Sequence, residues 1–237
     1  MSGSDAALSF SIMNKPIVIL LIIAASAPIS YFVRQIALNR ITRQLYQAAY
    51  VEKDAVLFES LIDSLPAQMF ISERSRKIMA LNFYIAANDE EKVAKTCRET
   101  NVKRFDANEF KTFCGSAIGY LCDKGNPYSE TLLNEMKKRY EGSKDISELM
   151  LLYDCQLTYD VYVAKNTDRI ADIEEILKND LGDEEKAVYE YRLAKLYHYQ
   201  GNRNKVKELL KSARNHTTNR ASQKKIDEIL NGNWSLL

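Results

Sequence analysis

Hydrophobic and polar positions fall into two regimes along this chain. Pro16 to Val33, between Lys15 and Arg34, is an 18-residue run without a formal charge. Beyond Arg34, apolar residues recur at the three-to-four spacing of amphipathic helices, almost without interruption. The second regime predicts a helical body. The first raises a separate question of address.

Short polar breaks divide the helical body: VEKD near Glu52, AND near Asn88, KGNP near Gly125, AKNT near Lys165 and QGNR near Gly201. They lie 36, 37, 40 and 36 residues apart. A period in the thirties is the signature of stacked helical hairpins, each too small to bury its own apolar face. Start signals agree with it. Asp106 with Glu109, and Asp145 with Glu148, have capping-box spacing. Asn126-Pro127 offers a cap followed by proline at the first helical position. Asn219–Leu230 reads as a final capping helix with a polar outer side.

Two units superpose with an offset of 36, from Tyr153 and from Tyr189. Tyr153/Tyr189, Leu157/Leu193 and Asn166/Asn202 match by identity, and Ile170/Val206 and Ile173/Leu209 by character. The last unit resembles the tetratricopeptide repeat. Leu193, Ala194, Tyr197, Gly201, Leu210 and Ala213 stand at that family's leucine, small, aromatic, turn-glycine, large-apolar and alanine positions. Val206, Glu190 and Thr218 depart from it, replacing a small alanine, an opening aromatic and a closing proline. The unit at 145–180 is a degenerate match. Those at 34–66, 72–101 and 105–141 share only helix length and turn position. The expected fold is therefore all-α: a single transmembrane helix, then an α-solenoid of about five hairpins and a capping helix.

The transmembrane expectation comes from the apolar run. Eighteen residues meet the lower limit for a helix crossing about 30 Å of hydrocarbon. A cleaved signal peptide fits less well, because Pro28 follows the Ala25–Ala27 site and Lys15 is the sole preceding cation. A buried soluble helix would show a polar face, and Ile17–Ala25 shows none. Tyr31 and Phe32 fall at one predicted interface, and Arg34, Arg40 and Arg43 favour a cytoplasmic C-terminal portion. The expected organisation is a tail over 1–15, the anchor over 16–33, the repeat domain over 34–216 and a capping helix and tail over 217–237. Whether Met1–Ile12 belongs to the mature chain stays open, since Met13 also opens a plausible start.

Composition narrows function mainly by exclusion. Lys+Arg 33 against Asp+Glu 32 lacks the cation excess of a nucleic-acid binder. Cys97, Cys114, Cys122 and Cys155 show no zinc or redox spacing and read as small buried hydrophobes. His198 and His216 sit in no metal motif, and neither KGNP nor QGNR is a strand-to-helix phosphate cradle. The sequons at Asn215 and Asn233 read as chance. No enzyme, metal, cofactor or small-molecule substrate is expected.

The tetratricopeptide resemblance implies that the first helix of each hairpin lines a concave groove. In the last unit the groove positions are then Tyr191, Lys195, His198 and Tyr199, one helix stripe. Subtracting 36 gives Cys155, Tyr159, Tyr162 and Val163. The candidate partner-binding residues are Tyr191, Lys195, His198, Tyr199, Tyr159 and Tyr162. Tyrosine supplies amphipathic contact area at low entropic cost, and a lysine suits a carboxylate of an extended peptide. The competing reading packs these tyrosines between hairpins. The expected function is a membrane-anchored scaffold binding a protein or peptide at the membrane surface. Two alternatives stay open: an accessory subunit held through the small patch Ala24–Ala27, and a periplasmic or secreted repeat protein.

Overall fold

The computed structural model describes residues 30–237, and the regular elements among them are all helical. They fall into two units, one ending at Ala87 and one spanning Asn88–Leu237. The fold is all-α and repeat-like.

In the first unit, α1 covers residues 30–46 and runs into a π-helical turn, Gln47–Glu52. Three helices follow: α2 (Ala55–Ile62), α3 (Leu65–Phe70) and α4 (Glu73–Ala86). Leu45, Ala48, Phe58, Ile62, Ala67 and Phe83 form its core, with the Phe58 and Phe83 rings stacked at 4.0 Å. Helices α1 and α2 fall in the unit expected over 34–66, and α3 follows them as an extra short helix before α4. Ser64 caps α3 by accepting the Ala67 N–H, and Pro66 occupies its first turn, where a missing N–H costs nothing.

The five breaks read from the sequence are turns built to one plan. At each, one residue adopts a left-handed backbone and the next is an Asp or Asn that caps the following helix. The left-handed residues are Lys53, Asn88, Gly125, Lys165 and Gly201, with φ between 52° and 76°. Asp54, Asp89, Asn126, Asn166 and Asn202 then accept from the N–H groups of Leu57, Lys92, Tyr128, Asp168 and Lys205. At Gly125 and Gly201 the outgoing helix closes by bonds from Asn126 N–H to Leu121 O and from Asn202 N–H to Tyr197 O. Turning the chain thus satisfies carbonyls of one helix and amides of the next within two residues.

A non-glycine side chain in the left-handed region costs about 1 kcal/mol. Lys53 is exposed there, so Lys53→Gly is expected to raise unfolding free energy by about 0.5–1 kcal/mol. Asn202→Ala, which removes a cap, is expected to lower it by about 1 kcal/mol. Chemical denaturation reads both, and a destabilised Lys53→Gly chain would refute the common turn geometry.

The second unit contains α5 (Glu90–Glu99), α6 (Ala107–Asp123), α7 (Tyr128–Tyr140), α8 (Ile146–Tyr162), α9 (Ile170–Ile176), α10 (Asp183–Tyr199), α11 (Arg203–His216) and α12 (Arg220–Leu230). Helices α6, α8 and α10 are each 17 residues long and open successive hairpins. Packing is sequential: α8 lies against α6 and α7, α10 against α8, α9 and α11, and α12 against α11. Leu193, Ala194, Val206, Leu210 and Ala213, which stand at positions of the repeat pattern, are all buried. The Asp106–Glu109 capping box forms in full. The Asp145–Glu148 pair does not: Glu148 instead accepts from the Ser143 hydroxyl at 2.6 Å. All four cysteines are free and buried; burial pushes the thiols of Cys97, Cys114 and Cys155 up to about 12.

The membrane-spanning helix is corrected. Its residues 16–29 lie outside the described ones, and residues 30–33 are the first described residues of α1. Among the described residues no helix is long and apolar enough to cross a membrane. The physical reason in α1 is the charge that follows: Arg34, Arg40 and Arg43 fall within one short helix, each costly in hydrocarbon. The expected fold class is thus revised to an all-α repeat-like fold with no membrane-spanning helix among the described residues. The single-pass localisation, with its cytoplasmic C-terminal portion, falls with it.

Candidate functional site

Three helices of the second unit converge on an open cleft of about 360 Å³. The end of α8 contributes Tyr162, α10 contributes Ala187, Val188 and Tyr191, and α12 contributes Lys225 and Ile226. Asp123, the last residue of α6, and Glu184, in the first turn of α10, close it with charge. Three successive first helices and the final helix therefore share one surface, as stacked hairpins require when each repeats the same rotation.

Electrostatics organise the cleft. Lys225 Nζ lies 3.8 Å from Asp123 Oδ1 and 5.4 Å from the centroid of the Tyr191 ring. Lys195 Nζ stands 4.7 Å from the centroid of the Tyr162 ring and donates to the main-chain oxygen of Leu237. Burial pushes the Tyr162 and Tyr191 phenols upward, so both stay neutral donors at ordinary pH. Glu184 accepts from the Thr218 hydroxyl, from the Thr218 N–H at 2.6 Å and from Thr217 Oγ1 at 2.8 Å, which ties α10 to the α11–α12 turn. Those bonds hold its carboxyl below the usual range.

Burial draws the Lys195 ammonium down to about 8, helped by Lys225 and Lys165 and opposed by Asp123. The folded chain therefore binds fewer protons here than the unfolded chain between about 8 and 10.5. The Lys195 cost is complete below pH 8 and is relieved as the pH rises through that window. Because the bond to Leu237 favours the charged form, wild type is expected to gain about 1–2 kcal/mol relative to Lys195→Met from pH 7 to pH 10. Denaturant unfolding at three pH values checks it. A flat difference would refute the burial.

The structure brings together part of the stripe read from the sequence. Tyr162, Tyr191 and Lys195 surround the cleft and its inner end. His198 and Tyr199 lie one turn further along α10: His198 stacks parallel on Trp234 at 6.4 Å, and Lys165 sits over Tyr199 at 5.4 Å. Tyr159 does not line the cleft; burial and then the Glu130 carboxylate raise its phenol. Cys155 is buried in the packing. The stripe residues are half-buried rather than open, and Lys195 is only 8% exposed. Asp123, Glu184, Lys225 and Trp234–Leu237 were missed. The lone tryptophan just beyond a capping helix was a usable signal. Asp123 and Lys225 carried none, because they lie on other helices, whereas Glu184, seven residues before Tyr191, shares its face of α10.

The cluster of Ser212, Glu190 and His216 is wired differently from a catalytic triad. Glu190 accepts from Ser212 Oγ at 2.7 Å and meets His216 Nδ1 at 2.8 Å. Nucleophile activation requires the histidine between hydroxyl and acid, whereas here the carboxylate is in the middle. Among the described residues, no group of three or more His, Cys, Asp and Glu is placed to hold a metal ion. Comparison with protein-family models, curated proteins and solved structures finds no match to this chain.

Proposed function

We propose that this chain is a tetratricopeptide-like module that binds an extended segment of a partner protein along the first helices of its last hairpins. One observation supports this reading above the others. Helices α8 and α10 and the final helix α12 surround a single open cleft in which two tyrosine faces meet a lysine and two carboxylates. Such a surface offers large amphipathic area with fixed polar points, the composition of interface hot spots. Val188 is 48% exposed on its wall, an apolar position with no packing duty toward the core.

A displayed library of extended peptides, selected on the full-length chain, tests the proposal. Selected peptides are expected to bind saturably and to lose at least tenfold in affinity on Val188→Asp or Lys225→Glu, with the thermal unfolding of either variant little changed. Failure to select any saturable binder, or binders indifferent to both substitutions, would overturn it.

A further inference from the structure

We infer that residues 234–237 are a built-in occupant of the groove along α10, and that the partner segment displaces them by presenting the same chemistry. That chemistry is an aromatic side chain followed, three residues on, by an aliphatic one, with main-chain oxygens offered to Tyr191 and Lys195. The inference rests on the proposed peptide-binding role and names its ligand class and its regulation.

The chain reaches this position by a sharp return. After α12 ends at Leu230, Gly232 takes φ 114°, and the Asn233 N–H bonds Glu228 O. A single 3₁₀ turn, Trp234–Leu236, then lies back against α10. Its contacts there are those of a ligand in a groove. The Trp234 ring stacks on His198, the Tyr191 hydroxyl donates to Leu236 O at 3.4 Å, and Lys195 Nζ donates to Leu237 O. The Leu237 side chain is buried in the cluster formed by Ala187, Ala194 and Ile226. Tyr191, Lys195 and His198 are three of the positions that the repeat pattern assigned to partner contact.

Three further features make this occupancy exchangeable. The turn has no side-chain cap at its start and, besides the Ser235 hydroxyl donating to Asn233 Oδ1, only short-range backbone bonds of its own, so contacts with α10 supply its hold. Every hydrogen bond to α10 uses a main-chain oxygen, which any polypeptide carries. Tyr191 both lines the open cleft and bonds the segment, so cleft and occupied groove are continuous. An incoming segment can start in the cleft and replace residues 234–237 progressively. The buried Lys195 amine then exchanges one main-chain oxygen for another and is never left without an acceptor.

Trp234 is the sole tryptophan and reports its own displacement. The probe is a synthetic peptide of residues 231–237 carrying Trp234→Phe, titrated into the full-length chain. The expected result is a saturable red shift of tryptophan emission with helical circular dichroism unchanged. In a chain ending at Asn233, the same peptide, fluorescently labelled, is expected to bind at least tenfold more tightly than to the full chain, and Lys195→Met should remove that gain. No red shift at millimolar peptide, or equal affinity with and without residues 234–237, would overturn the inference. If library-selected peptides nevertheless bind the cleft and respond to Val188→Asp, the general binding role stands and only the occupant is wrong. If they also fail, both fall.

Discussion

Phe113→Ala is expected to lower the unfolding free energy of the Asn88–Leu237 unit by about 3–5 kcal/mol. Phe113 is fully buried in α6 and meets the edge of Phe105 at 5.3 Å. Cys114, Ala117 and Ile118 around it on α6 are likewise inaccessible to water. Truncation therefore removes a ring from water-free packing and leaves a space that rigid helices on several sides cannot close. The 17-residue α6 packs against both α7 and α8, so the loss propagates to two neighbours. Urea denaturation followed by circular dichroism measures it. A loss below 1 kcal/mol would mean that α6 is not the centre of this unit.

The second large effect is an asymmetry. Arg192 is buried, donating to Asp154 Oδ1 at 2.6 Å and to Thr158 Oγ1 at 2.7 Å, whereas the Asp154 side chain is 47% exposed. Asp154→Ala is expected to cost about 2–3 kcal/mol, because it strands a guanidinium that has one neutral acceptor and an unpartnered Nε. Water at the Asp154 side keeps this near the low end of the range for a broken buried pair. Arg192→Met leaves a carboxylate that water can reach and is expected to cost less than about 1.5 kcal/mol. The double variant should lie close to Arg192→Met. Were the more exposed residue the milder loss, desolvation of Arg192 would not be the controlling term.

Legibility in the sequence followed the range of each interaction. The five turns were readable because a left-handed residue and an Asx cap act within a few positions of each other. Even there, glycine marked only Gly125 and Gly201; Lys53, Asn88 and Lys165 take the same backbone without its freedom. The insertion of α3 was also locally encoded, by Ser64 and Pro66, but a strict two-helix period obscured it. The shortness of α9 had a local cause as well: the Thr167–Arg169 turn uses its first residues, and Asn179 Nδ2 bonds Glu175 O and Ile176 O at its end.

The site divided along the same line. The stripe Tyr191–Lys195–His198 was visible because helical periodicity places i, i+4 and i+7 on one face. That Lys225 meets Asp123, 102 positions away, had no local trace. The apolar run at 16–33 shows the converse error: a composition criterion assigned a membrane helix, and no described helix meets it.

By itself, then, the sequence determined the helical class, the period, the turn positions and the face of α10 that carries tyrosine and lysine, all through interactions spanning at most a few turns. Only the tertiary structure decided that α8, α10 and α12 line one cleft and that Trp234–Leu237 lies against α10 beside it. Those outcomes depend on how rigid helices stack, and stacking is set by buried side chains such as Leu157, Leu193, Leu210 and Ile226 acting across long separations in the chain.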